Sequence, residues 1–289
     1  MVDVRRITVR DIVGDSYAYM RAAVLPALTG SVLYAVTSSG SDLLRTRELA
    51  GQYSMALSIV ILFIMATIWL ALALRQGLGK PRKGVFGLYF GFDEIRLGSS
   101  MLGFASVMAI VLFLLGFAVF LLVMIVAVAG AGALGGNDVA EAELFTSPDA
   151  FNDFLVSGGA GTFVAIAGGG IIVAAAFLFV WLVIRLLPFA AGTIDQRRFI
   201  VLQAAIWTRY QDRALLMGAV LTIGVGIGFV WLARYGISLS PLPDLPGALL
   251  KHVVSCFGAL LLIGFICSVY KRLVVEFGTE DAAEVKPGG

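Results

Sequence analysis

Charge is what this chain has least of. Only 14% of its 289 residues are Asp, Glu, Lys or Arg, and 60% are hydrophobic; an ordinary soluble domain carries about 25% charged and 45–50% apolar residues. Twenty-one basic and 19 acidic side chains are too few to cover a soluble fold of this length. This excludes a soluble enzyme, a disordered chain and a nucleic-acid binder, and leaves an integral membrane protein. Histidine is nearly absent: His252 stands alone, so no His-x-x-Glu-His site, no Cys/His cluster and no positioned Ser-His-Asp triad can be assembled. There are two cysteines, Cys256 and Cys267. Eleven residues of helix separate their Cα atoms by roughly 16 Å, beyond the ~7 Å reach of a disulfide, so both are expected to be free. Residues Met1 to Asp15 hold no apolar core of a cleavable signal peptide.

What is present is long apolar runs. A helix needs about 20 such residues to cross the hydrocarbon, and six stretches qualify: 22–38, 53–74, 101–130, 162–187, 215–235 and 249–270. The expected fold is therefore an all-α membrane domain of six spans over residues 1–275, with a disordered acidic tail at 276–289. Lysine and arginine set its orientation. Seventeen basic residues fall on one side: Arg5, Arg6, Arg10, Arg21, Arg75, Lys80, Arg82, Lys83, Arg96, Arg185, Arg197, Arg198, Arg209, Arg213, Lys271, Arg272 and Lys286. Four, Arg45, Arg47, Arg234 and Lys251, fall on the other. Both termini are thus expected in the cytoplasm. The richness in Arg, Ala and Gly reads as GC-rich bacterial coding, hence a bacterial inner membrane.

Three cytoplasmic segments read as amphipathic helices lying in the interface: Thr8 to Met20, capped by Thr8 with Asp11 three residues on; Phe86 to Leu97; and Arg197 to Arg213. Gly98-Ser99-Ser100 reads as the start or hinge of span three. In the exterior connection between spans three and four, Ser147, Pro148 and Asp149 read as the start of a short helix. Asp138, Glu141, Glu143, Asp149 and Asp153 make that connection acidic without the spacing of a calcium loop. Two small-residue stripes, Gly161-x3-Ala165-x3-Gly169 and Gly224-x3-Gly228, are expected to pack helices closely. Spans two and four each end in Trp-Leu followed by an arginine (Trp69 to Arg75, Trp181 to Arg185), a likeness that either duplication or shared topology produces.

The segment Val183-Ile184-Arg185-Leu186-Leu187-Pro188-Phe189-Ala190-Ala191, followed by Ala204-Ala205-Ile206-Trp207-Thr208-Arg209, resembles the arginine–leucine stretch closed by proline and the alanine-x-tryptophan-x-arginine stretch of the membrane domain associated with glycerophosphodiester phosphodiesterases. Phe90 to Arg96 is similar to the acidic-x-arginine stretch before span three in free-standing bacterial relatives of that domain. The resemblance covers about a third of the chain, and a glycine of the pattern shortly after Arg209 is missing. It implies a six-helix membrane module without the hydrolytic barrel, since no segment here is long and polar enough to form one.

The residues themselves point to a structural clamp or lipid headgroup contact at the cytoplasmic face. Arg185, with Glu94, Asp93 and Asp195 on its side of the membrane, ties interfacial segments to the bundle. Arg96, Trp207 and Arg209 anchor those segments among headgroups, and Lys80, Arg82 and Lys83 form a basic loop toward anionic lipid. No ionisable residue lies deep in a span, which argues against proton-coupled transport and intramembrane catalysis. The expectation is a non-enzymatic bundle, needing no metal or cofactor and binding no nucleic acid. It would organise lipid, anionic lipid included, or a protein partner or second copy. The alternative is a transporter of small solutes or lipid with a midplane cavity lined by Ser58, Thr67, Thr222 and Ser255.

Overall fold

The computed structural model describes residues 7–46, 52–81, 89–133, 159–209, 211–240 and 243–276. Among these residues every regular element is helical. Helix α1 covers Val9–Thr46, α2 Gln52–Gly77, α3 Phe92–Ala133 and α4 Gly159–Leu186. Short helices α5 (Phe189–Gln196) and α6 (Gln203–Trp207) lead to α7, Asp212–Ser238, which contains a π turn at Val220–Gly224. Helix α8, Asp244–Tyr270, runs on as a π turn over Lys271–Glu276. Five stretches of the described residues are long and apolar enough to cross a membrane: Ala56–Gly77, Phe92–Val126, Ala165–Gln196, Asp212–Ser238 and Pro246–Val274. The chain is therefore compatible with a multi-pass membrane protein. The weakest expected run, 22–38, lies inside α1. Arg82, Lys83, the acidic exterior connection with its expected short helix, and residues 277–289 lie outside the described residues.

Two expected interfacial helices are not separate elements. Thr8 to Met20 continues without a break into α1; its cap is as expected, with the Asp11 N–H donating to Thr8 Oγ1 at 3.2 Å. The Thr8 hydroxyl also bonds the Asp11 carboxyl and holds it below the usual carboxylate range. In the same way Phe92 to Leu97 is the first part of α3, which passes through Gly98-Ser99-Ser100 with no hinge. Gly98 serves a crossing here, where a Cβ would stand 3.5 Å from Phe63 and Thr67 of α2. The third segment, Arg197 to Arg213, is broken. The Arg185 guanidinium takes the Ala205 carbonyl at 3.0 Å. In a continuing helix that carbonyl would accept from the Arg209 N–H, which turns to Ile206 at 3.3 Å. Within the segment a helix covers Gln203–Trp207, and Asp212 and Arg213 already belong to α7.

The chain divides into two compact units. The unit Ala105–Val183 contains the distal part of α3 and most of α4. Phe113, Phe117, Ile125, Ile166, Val173 and Phe177 are all exposed. Helices this apolar and this bare need lipid around them.

The other unit, residues 1–104 and 184–289, holds the core. Its central pairing is α1 with α8. Helix α1 contributes a buried seam of small residues, Ser16, Ala23, Ala27, Ser31 and Ala35, and α8 contributes Leu260, Ile263, Phe265, Val269 and Tyr270. Small residues let the backbones approach, which is how helices associate where apolar burial offers no advantage over lipid. Tyr19 donates to the Ala73 carbonyl at 2.8 Å, and Trp69 Nε1 donates to Ser31 Oγ at 3.0 Å, so α2 is tied to the same seam. Cys256 and Cys267 are buried and free, as their spacing requires. The glycine stripes are placed differently from expectation. Among the described residues Gly224, Gly228 and Gly169 have nothing within 4 Å of an added Cβ, whereas Gly226 faces α8 and Gly168 faces Val123. Helical spacing identifies a stripe, but the rotation of the helix decides which stripe meets a neighbour.

Candidate functional site

Helices α2, α4 and α8 end, and α1, α3 and α7 begin, in one polar belt. The macrodipole favours a cation at a helix C-terminus and an anion at an N-terminus, and the sequence supplies both three times. Arg75 lies in the last turn of α2, with Asp93 and Glu94 in the first turn of α3. Arg185 lies in the last turn of α4, with Asp212 in the first turn of α7. Arg272 follows Tyr270 of α8, opposite Asp11 and Asp15 near the start of α1. Each arginine meets the carboxylates of its partner helix.

The first pair is the deepest. Arg75 contacts Asp93 Oδ2 at 3.2 Å and Glu94 Oε1 in a still closer ion pair, with the Arg75 and Glu94 side chains 4% and 0% exposed. The second Glu94 oxygen accepts the Gly91 N–H at 2.9 Å, and Arg96 lies 3.7 Å from Asp93. Arg185 donates to the Ala205 carbonyl and, at 3.3 Å, to Thr208 Oγ1, with Asp212 at 3.6 Å. Thr208 is fully buried and donates its hydroxyl hydrogen bond to the Ala204 carbonyl at 2.9 Å. Arg272 meets Asp15 at 2.7 Å near the surface, where such a pair is worth at most about 1 kcal/mol. Ser268 adds a bond to the same carboxylate at 3.2 Å.

A fourth contact closes the belt. Glycine at position 79 adopts φ +71, the left-handed conformation that ends α2 in a Schellman turn, with the Lys80 N–H on the Arg75 carbonyl at 2.8 Å. The turn delivers Lys80 Nζ to Asp195 Oδ1 at 2.8 Å and to the Ile194 and Asp195 carbonyls. Tyr270 donates to the other Asp195 oxygen at 2.7 Å, and Trp207 packs edge-on against the Tyr270 ring at 5.6 Å.

The structure thus gathers Asp93, Glu94, Arg96, Lys80, Arg185 and Trp207 into this belt, with partners that differ from those expected. Of the three carboxylates foreseen for Arg185, Asp93 and Glu94 are held by Arg75 and Asp195 by Lys80. Arg209 is exposed. Arg75, Asp212, Asp15, Arg272, Thr208 and Tyr270 were missed as site residues; the signal for Arg75 and Asp212 was their position in a last and a first helical turn. Among the described residues no group of three His, Cys, Asp or Glu side chains converges as a metal site. His252 lies beside Ser38 at 3.2 Å, on α8 and α1.

Arg185→Ala removes a cation that satisfies the Ala205 carbonyl and the Thr208 hydroxyl. The expected loss is roughly 1.5–3 kcal/mol, measured as a lower thermal midpoint in detergent. An unchanged midpoint would show that the α4–α6 junction holds without it. No family model matches the chain, and neither curated proteins nor solved structures give a match.

Proposed function

We propose that this chain is a non-catalytic, six-span helical bundle of a bacterial inner membrane, with both termini cytoplasmic, that organises anionic lipid at its cytoplasmic face. Counting α1 as the sixth span agrees with the polar belt, where three helices end and three begin. The resemblance to the membrane domain associated with glycerophosphodiester phosphodiesterases supports the same module.

One observation carries the lipid reading. Between α5 and α7 the chain exposes Phe199, Leu202 and Ile206 at 63%, 66% and 70%, interleaved with exposed Arg197, Arg198 and Arg209. Ile200, Ala204 and Thr208 of the same stretch are buried. An apolar surface edged with arginine and fixed from behind is the arrangement that lies in a headgroup layer. Against transport, three of the four hydroxyls expected to line a cavity donate to their own helix: Thr67 to Phe63 at 2.8 Å, Thr222 to Gly218 at 2.6 Å and Ser255 to Lys251 at 2.8 Å.

The test extracts the full chain from cells directly into polymer-bounded nanodiscs and quantifies the lipids by mass spectrometry. Anionic lipid is expected to be enriched several-fold over the bulk membrane, and the enrichment to fall in Arg198→Gln/Arg209→Gln, since each basic group near the surface contributes about 1 kcal/mol. Equal lipid composition in wild type, variant and bulk would overturn the reading. A stoichiometric co-purifying protein lost in the same variant would assign the face to a protein partner instead.

A further inference from the structure

On the half of α7 and α8 away from the polar belt, the two helices enclose a groove of about 390 Å³, lined by Ile223, Gly226, Val230, Trp231 and Arg234 on one wall and by Ser255, Gly258, Ala259 and Leu262 on the other. Its floor is a close backbone crossing: a Cβ on Gly226 would stand 3.3 Å from the Gly258 carbonyl, and one on Gly258 would stand 3.3 Å from the Gly226 carbonyl. The volume falls in the range of small-ligand sites, about 300–1,000 Å³. The walls are apolar, and Ser255 spends its hydroxyl on the Lys251 carbonyl at 2.8 Å. One charge, Arg234, lines the groove, and no ion pair engages it among the described residues.

The dimensions match one leaflet. Ile223 lies near the middle of the Asp212–Ser238 span. Arg234 is eleven residues further along, roughly 16 Å at the helical rise, close to half of a hydrocarbon core about 30 Å thick. An acyl chain lying from Ile223 outward would place its headgroup phosphate at Arg234. The Trp231 and Tyr235 rings, stacked at 5.9 Å, stand at the same level, where aromatic side chains meet the interface. Lys251, one turn beyond Ser255 on the same face of α8, brings a second cation to that end. Arg234 and Lys251 are two of only four basic residues on the sparsely charged side of this chain.

We infer that the α7–α8 groove is a binding site for one anionic glycerophospholipid, its acyl chain along Gly226, Gly258 and Ala259 and its phosphate on Arg234. The site is distinct from the cytoplasmic surface and shares with that reading only the placement of α7 and α8 in a bilayer. Native mass spectrometry of the detergent-purified full chain, titrated with dioleoyl phosphatidylglycerol, tests it. One tightly held lipid is expected on the wild type. Arg234→Gln should weaken it about five-fold, the value of one basic group at a membrane surface. Ala259→Phe should remove it by filling the groove, and inorganic phosphate should not compete. Because Arg234 is exposed, its variant keeps the fold, and a wild-type thermal midpoint checks this.

Retention unchanged in both variants would overturn the inference, as would full competition by free phosphate, or a dimer lost in Ala259→Phe that shows a second copy in the groove. Arg198→Gln/Arg209→Gln should leave this lipid bound, so failure of the groove and failure of the cytoplasmic surface are read separately.

Discussion

Replacing Arg75 by methionine is expected to lower the stability of the purified protein by about 3–5 kcal/mol, the cost of removing one partner from a buried ion pair. The reason lies in what remains. Glu94 would be left with its side chain 0% exposed and only the Gly91 N–H, at 2.9 Å, to satisfy it. Asp93 would stand beside it with Arg96 at 3.7 Å, so two carboxylates would share a site that had held a guanidinium. Glu94→Gln should cost less, because Asp93 still faces Arg75 at 3.2 Å. The double variant Arg75→Met/Glu94→Met should recover most of the loss, since both charges leave the interior together. Thermal unfolding in detergent, followed by intrinsic fluorescence, gives the ranking: Arg75→Met lowest, Glu94→Gln next, the double variant nearest wild type. Additive losses in the double variant would mean that the pair is not a unit.

This cluster also shows how much a sequence of this kind discloses. Hydropathy alone locates the apolar helices, because lipid requires every backbone group to be satisfied within a helix and runs such as Met101 to Val126 have no other use. Helix ends are less legible. Phe86 to Leu97 carries Asp93, Glu94 and Arg96 and reads as a surface helix bounded by Gly98-Ser99-Ser100, yet those three residues also fit within a helix, and α3 runs through them from Phe92. Side chain pairing is less legible still. The sequence leads one to expect Arg185 and Glu94 at the same ends of their helices, and the structure puts both in the belt. Which arginine reaches which carboxylate depends on the Gly79 turn, on helix rotation and on the length of each connection. Pairing the last turn of each helix that ends in the belt with the first turn of one that begins there would have found Arg75 with Glu94 and Arg185 with Asp212.

The glycines show the same limit in a form that can be measured. Gly264 of α8 appears in no spaced stripe, yet an added Cβ would stand 2.7 Å from the Ser16 carbonyl oxygen, 3.0 Å from Ser16 Cα and 2.9 Å from the Tyr19 ring. Two of those atoms are backbone of α1, so no rotamer relieves the contact. Helix α1 is also tied to its neighbours: Asp15 is paired with Arg272 at 2.7 Å, and Tyr19 donates to the Ala73 carbonyl at 2.8 Å. Gly264→Ala is therefore expected to destabilise by at least the 1–3 kcal/mol of ordinary overpacking, and Gly264→Val by more. Gly228, in the Gly224-x3-Gly228 stripe, has nothing within 4 Å of its Cβ position among the described residues. Gly228→Ala should be neutral or stabilising by about 0.5–1 kcal/mol, because alanine restricts the unfolded chain more than glycine does. The same chemical change should thus lower the thermal midpoint at one position and hold or raise it at the other. Cys267, buried three residues along α8 from Gly264, adds a second readout. Its alkylation should accelerate in Gly264→Ala and stay at the wild-type rate in Gly228→Ala. Equal midpoints and equal alkylation rates for the two variants would mean that α1 and α8 do not meet at Gly264.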